Sequence, residues 1–175
     1  RYPARPDESQ LAWCAADTLL LEKAYQNGVP GSAVLVVNDV HGALCVALEP
    51  QALWTDSALA VLALRNNERV NSRVETPVVW STAVPQLAPR WVVLRIPKHL
   101  PYFEYQLSML AGLLLPGTVV LAAGMDKHLS RRTADILERI IGPTERYPGH
   151  RKARLFSAVR DDRPVPQSKD TAIYF

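Results

Sequence analysis

Asn38, Asp39 and His41 lie in a four-residue turn between an apolar run, AVLVV at 33–37, and a helical pattern, GALCVAL at 42–48. In a parallel α/β protein a strand, turn and helix in this order cradle a nucleotide-type ligand. A cradle needs glycine, because a residue without Cβ lets backbone amides approach the ligand, and positions 38–41 contain none. The turn has the place of a cofactor loop and lacks its residues. His41 reads as a solvated loop residue or capping partner ahead of a general base. Asp39 reads as a helix N-cap ahead of a ligand contact.

Two groups of cations are the other chemistry-bearing residues. Lys98, His99, Lys127, His128, Arg131 and Arg132 follow strand-like segments, where a sheet gathers its loops. They make one edge basic, or they are ordinary solvated side chains; the two readings stand level. Arg146, Tyr147, His150, Arg151, Lys152 and Arg154 combine positive charge with rings able to stack on bases. This second group is the better candidate for RNA contact. Its rival reading, an exposed edge strand that uses charge to resist aggregation, is equally weighted. No base-recognition module is visible, so contact would be to phosphates and shape.

Cys14 and Cys45 are 31 positions apart with no C-x-x-C spacing and no nearby histidine at ligand spacing, and both read as reduced, buried thiols. No metal site is expected. A hydrophobic share of 48% and a charged share of 21% fit one globular domain and exclude a disordered chain. No apolar run is long enough to span a bilayer, and no secretory leader is visible, so a cytoplasmic setting and no membrane partner are expected. The net charge is only +3, but residues 1–60 hold seven acids against three Lys/Arg, whereas 146–160 holds five Lys/Arg and no acid. That asymmetry allows a polyanion partner at the basic end.

The elements that must position these groups follow from periodicity. A helix is predicted over 8–27, with Leu11, Ala15, Leu19 and Leu20 on one face. A central strand over 33–37, a short helix over 42–48 and a strand over 52–55 come next. Asp56-Ser57 then caps a helix over 58–70, with Leu59, Leu62, Ala63 and Asn66 inward and Arg65, Glu68 and Arg69 outward. Strands over 78–81, 90–96 and 118–123 alternate with helices over 102–115 and 133–141. The last element, 152–160, reads as a strand exposed on one side. Trp13, Trp54, Trp80 and Trp91 read as core, as do Tyr102, Phe103 and Tyr105. The fold class is α/β: a doubly wound, Rossmann-like, mostly parallel sheet with helices on both faces and an antiparallel last strand. Ligands of such sheets bind outside the carboxyl ends of the strands. That edge should gather Asp39, His41, Asp56, Lys98, His99 and 125–128.

Several stretches together carry a family resemblance: AWCAAD (12–17), VLVVNDVHGALCVAL (34–48), VVLRIPKHL (92–100), EYQLSML (104–110) and IGPTERYPGHRKARL (141–155). The chain resembles the N-terminal half of the bacterial ribosomal RNA large-subunit methyltransferase G family. These are guanine-N2 methyltransferases of 23S rRNA, and small-subunit methyltransferase C is a close cousin. The resemblance implies two methyltransferase-like halves. The C-terminal half carries the S-adenosylmethionine site and an NPPF motif; the N-terminal half is a degenerate copy that helps grip the rRNA.

Aligned to the active half, the loop D-x-G-x-G-x-G falls on 36–42. Val36 then replaces the acid, Asn38 and Val40 replace two glycines, and Gly42 survives. Ser57, Ala60, Val61, Arg65, Asn67 and Asn71 keep the pattern of the following helix. The ribose-holding acid falls on Thr55, with Asp56 one place late, and NPPF falls on Ile96-Pro97-Lys98-His99. Methylation of an amine needs a polar acceptor and tight positioning, and Ile96 accepts no hydrogen bond.

The expectations are therefore no catalytic residue and no cofactor in this chain, with S-adenosylmethionine in a C-terminal catalytic domain. RNA-binding candidates are Arg146, His150, Arg151, Lys152, Arg154, Lys98, Lys127, Arg131 and Arg132. Residues 1–170 form the degenerate domain and 171–175 begin a connection to the next, the chain being a piece of a longer one. The partners are 23S rRNA and the chain's own C-terminal domain, and a monomer is expected. The rivals are a structural platform that touches no RNA and an enzyme with an altered cofactor loop.

Overall fold

The computed structural model describes residues 11–165. The proposed boundary at 170/171, the TAIYF segment and the first three residues of the helix expected over 8–27 lie outside them. Among the described residues, seven strands form one sheet. They are β1 (Val34–Val37), β2 (Ala52–Thr55), β3 (Val78–Trp80), β4 (Trp91–Arg95), β5 (Val119–Met125), β6 (Thr144–Arg146) and β7 (Ala153–Val159), in the order β3-β2-β1-β4-β5-β7-β6. β3 through β5 run parallel, and β7 is antiparallel to both of its neighbours. The α-helices of the described residues are α1 (Ala15–Gln26), α2 (Ala43–Leu48), α3 (Ala58–Val70), α4 (Leu100–Leu113) and α5 (Thr133–Ile140).

Alternation along the strands explains the two-sided core. Leu35 and Val37 of β1, with Val92 and Leu94 of β4, join Phe103, Leu107 and Ile136 on one face. Val34, Val36 and Val93 join Leu20, Leu44 and Leu64 on the other. Helices cover both faces, so parallel strands read as continuous apolar runs. Among the described residues no helix is long and apolar enough to cross a membrane.

Several expectations need correction. Leu11 lies outside α1 and is exposed; Ala16, Asp17, Leu20 and Ala24 are the buried residues of that helix. On α3 the inward face is Ala60, Ala63, Leu64 and Glu68, whereas Leu59 and Leu62 are 65% and 50% exposed. Both sets satisfy helical spacing, and the position of the sheet decides between them. Glu68 is buried because its carboxylate accepts from Arg65 and from the Thr76 amide. A paired charge tolerates burial where a lone one does not.

β7 is not an exposed edge. It lies between β5 and β6, with Ala153 and Leu155 packed on one face and Phe156 and Ala158 on the other. The edge is β6, three residues that directly follow Gly142-Pro143 and show no strand pattern of their own. Trp54 is fully buried, with its indole donating to the Ala83 carbonyl at 2.9 Å, but Trp13 and Trp80 are about half exposed, at 49% and 45%. Cys14 is only half-buried and Cys45 is buried; neither is in a disulfide.

Candidate functional site

The sheet reverses its strand order between β1 and β4, and a cleft of about 490 Å³ opens at the carboxyl ends of these strands. Asn38, Asp39 and Val40 from the β1 turn form its floor. Thr55, Asp56 and Ser57 close the β2 side; Arg95 through His99, Tyr102, Met125 and His128 form the β4–β5 side. Of the groups expected at this edge, Asp39, Asp56, Lys98, His99, Met125 and His128 line the cleft. His41 does not; its carbonyl accepts from the Asn67 amide of α3.

The floor is closed by its own side chains. Asn38 takes the left-handed backbone conformation, φ 60°, that a glycine would otherwise supply, and asparagine tolerates it. Its amide exchanges two hydrogen bonds with Gln106 of α4, at 2.8 and 3.0 Å, and donates to the Arg95 carbonyl at 3.0 Å. Asp39 turns away from the opening and accepts from the backbone amides of Gly42 at 3.0 Å and Cys45 at 2.9 Å. These amides begin α2, where a free helix start attracts an anion. Here the chain's own carboxylate already occupies them.

Burial pushes Asp39 up to about 6, with nearby Asp17 acting in the same direction against the lowering effect of the two amides. Gly42 is explained by its backbone conformation and its packing. Its φ is +82°, and a Cβ there would lie 2.7 Å from the Leu64 Cα of α3.

Other cofactor-motif positions have structural roles. Ser57 caps α3 by accepting from the Ala60 amide at 3.2 Å, and Thr55 accepts from the Ser57 amide. Ile96 presents hydrocarbon where an amide side chain would be needed. Arg95 at the end of β4 forms an ion pair with Asp17 of α1, and both side chains are largely buried. Neither residue was singled out from sequence. A charged residue in the apolar run RWVVLRI is the signal, because such a charge demands a partner. The β1 turn does not match a glycine-rich S-adenosylmethionine cradle: Asp39 takes the amides of Gly42 and Cys45, and Asn38 and Val40 stand at two of the glycine positions.

The cations divide into two groups. Arg146 pairs with Asp135 and Arg154 with Asp126, each at 2.7 Å. Lys23 lies over the Tyr147 ring, 4.3 Å from its centroid. Arg151 and Lys152 form an exposed turn with φ of 47° and 62°, and His150 is exposed beside them. Arg151 and Lys152, like Lys98, Lys127, Arg131 and Arg132, are exposed and form no ion pair among the described residues. Loss of hydration, with the fields of Lys98 and Lys127, lowers the His128 pKa. Lys98 and His128 line the cleft, and the exposed Lys127 adjoins His128, so this lip is basic. Among the described residues no cluster of His, Cys, Asp or Glu is able to hold a metal.

Known proteins agree with this fold. The chain is 42% identical over 176 residues to the ribosomal RNA large subunit methyltransferase G of Pseudomonas paraeruginosa, covering 96% of this chain and 46% of that protein. It is 34% identical over 176 residues to the protein of the same name from Yersinia pestis, covering 98% and 45%. The chain thus spans about half the length of these curated relatives.

Among solved structures, a T. thermophilus 16S rRNA N2 methyltransferase in complex with AdoMet and guanosine superposes with a TM-score of 0.66. Identity is 15%, covering 87% of this chain and 41% of that one. A ribosomal protein L11 methylase from Lactobacillus delbrueckii subsp. bulgaricus gives a TM-score of 0.62 at 16% identity, covering 83% and 77%. At such identities the likeness concerns the fold, that of methyltransferases with a seven-stranded mixed sheet. The family model described as the RLMG N-terminal domain matches residues 1–162. The chain belongs to the RLMG N-terminal domain family.

Proposed function

We propose that this chain is the non-catalytic, RNA-recognising half of a S-adenosylmethionine-dependent 23S rRNA guanine-N2 methyltransferase. The methyl donor and the chemistry belong to a C-terminal half. The observation that carries the reading is the β1 turn: Asp39 consumes the amides of Gly42 and Cys45 while the Asn38–Gln106 pair closes the floor. A methyltransferase cleft without a place for its cofactor, edged by unpaired cations, suits binding of a polyanion better than catalysis. The 42% identity to a named large-subunit rRNA methyltransferase supports rRNA as that polyanion. The protein acts as a cytoplasmic monomer on this reading, its partners being 23S rRNA and its own C-terminal half.

Exposure of Leu59 and Leu62 on α3 favours a second role beside the first, as a surface on which the catalytic half packs.

Electrophoretic mobility shifts with a 23S rRNA fragment test the reading. Binding should weaken steeply with salt, because each phosphate contact releases a counterion. Charge reversal at Lys98 and Lys127 should weaken it, and reversal at Arg151, Lys152 and Arg154 compares the second patch. Absence of a salt-sensitive shift would remove the RNA-recognition reading and leave the packing platform.

A further inference from the structure

The cleft remains open to solvent, with different chemistry at its two ends. On the β4–β5 side Lys98 and His128 line the cleft, with the exposed Lys127 next to His128 in the chain. On the β2 side stands the exposed Asp56 carboxylate. Between them the Tyr102 ring stacks on Tyr105, centroids 6.2 Å apart and planes 17° from parallel, while the Tyr105 hydroxyl donates to the Ser81 carbonyl at 3.2 Å. The ring is thus braced from behind by a second ring that is itself anchored. The Tyr102 hydroxyl is secluded beside Ser81 and Asp56 with no partner at full hydrogen-bond geometry. Pro97 and Met125 supply apolar walls.

We propose that this cleft receives a single unpaired nucleotide of the bound RNA. Its phosphate lies on Lys98 and Lys127, its base against the Tyr102 ring, and its polar edge or sugar hydroxyls at Asp56 and the Tyr102 hydroxyl. The charge order supports this occupant. A nucleotide carries its anion at one end and hydrogen-bond donors at the other, matching cations on one lip and a carboxylate on the opposite lip. An aromatic face accepts any base, so a strand needs no particular sequence to enter. A volume of about 490 Å³ falls within the range of small-ligand sites and is ample for one nucleotide. A duplex keeps its bases stacked inside and offers only phosphates to the lip. The inference rests on the RNA-recognition reading and narrows it to single-stranded RNA.

Fluorescence anisotropy of the 175-residue chain with a single-stranded RNA oligonucleotide, and with a blunt hairpin of equal phosphate count, separates the possibilities. The single strand should bind more tightly, and Tyr102→Leu should weaken it about tenfold while leaving the hairpin unchanged. Tyr102→Phe should retain most of the single-strand affinity because it keeps the ring. Irradiating the unaltered chain with a thiouridine-bearing oligonucleotide provides a readout that needs no variant: crosslinks should fall on the peptide containing Tyr102 or on that containing Met125. Free guanosine monophosphate in excess should compete only weakly, because it lacks the flanking phosphates; full competition would make the ligand a free nucleotide and overturn the proposal. Equal affinity for both RNAs, or crosslinks confined to 146–154, would overturn the nucleotide cleft and leave RNA recognition standing. Binding of neither RNA would remove both.

Discussion

Asp39 is held by opposing influences. Two backbone amides favour its charge, and complete burial with Asp17 nearby disfavours it; burial prevails and its pKa rises to about 6. A carboxyl raised on folding stabilises the fold while protonated. Its contribution is complete below its unfolded value near 3.8 and is lost as pH rises through 6. The differential is about 3 kcal/mol at about 1.4 kcal/mol per pH unit. Carboxyl-carbon NMR should show Asp39 titrating near pH 6, and Asp39→Asn should abolish that share of the pH dependence in urea denaturation; a midpoint near pH 4 would contradict this. The Cys45 thiol is pushed up by burial and then by Asp39. Native alkylation should therefore modify half-buried Cys14 first and reach Cys45 only on unfolding. The sequence showed that the turn lacked glycines. It did not show that Asn38 reaches Gln106, 68 residues away, because no local pattern encodes that pairing.

Element types were legible from periodicity; which face of an element points inward was less so. The helix at 58–70 was read with its observed limits, yet its apolar stripe was placed on Leu59 and Leu62 instead of Ala60 and Leu64. Leucine outweighs alanine in a hydrophobic reading, but a helix lying close to a turn needs small residues at the contact. Gly42 and Leu64 make that contact. Urea denaturation should show Leu64→Ala costing about 2–5 kcal/mol, while Leu62→Gln should stay within about 0.5 kcal/mol. Gly42→Ala should cost about 2–3 kcal/mol, combining backbone strain at positive φ with the clash against α3. Comparable losses for Leu62→Gln and Leu64→Ala would mean that the helix face is misassigned. The last strand was read as an edge because β6 is too short to announce itself, so Phe156 and Ala158 were not recognised as core.

At the scale of the molecule, alternating strands and helices were enough to place the doubly wound sheet, and the carboxyl-end rule was enough to place the cleft. That Asn38, Val40 and Ile96 depart from the cofactor pattern was legible, and all three line the cleft. The partners of Arg95 and of the 146–154 cations were not, because ion pairs join distant segments. The basic lip at Lys98 and Lys127 follows from the topology, which brings the ends of β4 and β5 side by side. The central proposal is that a methyltransferase fold persists here without a methyl donor. Isothermal titration of the chain with S-adenosylmethionine tests that claim most directly. The account predicts no saturable heat, and a one-to-one isotherm with micromolar affinity would contradict it.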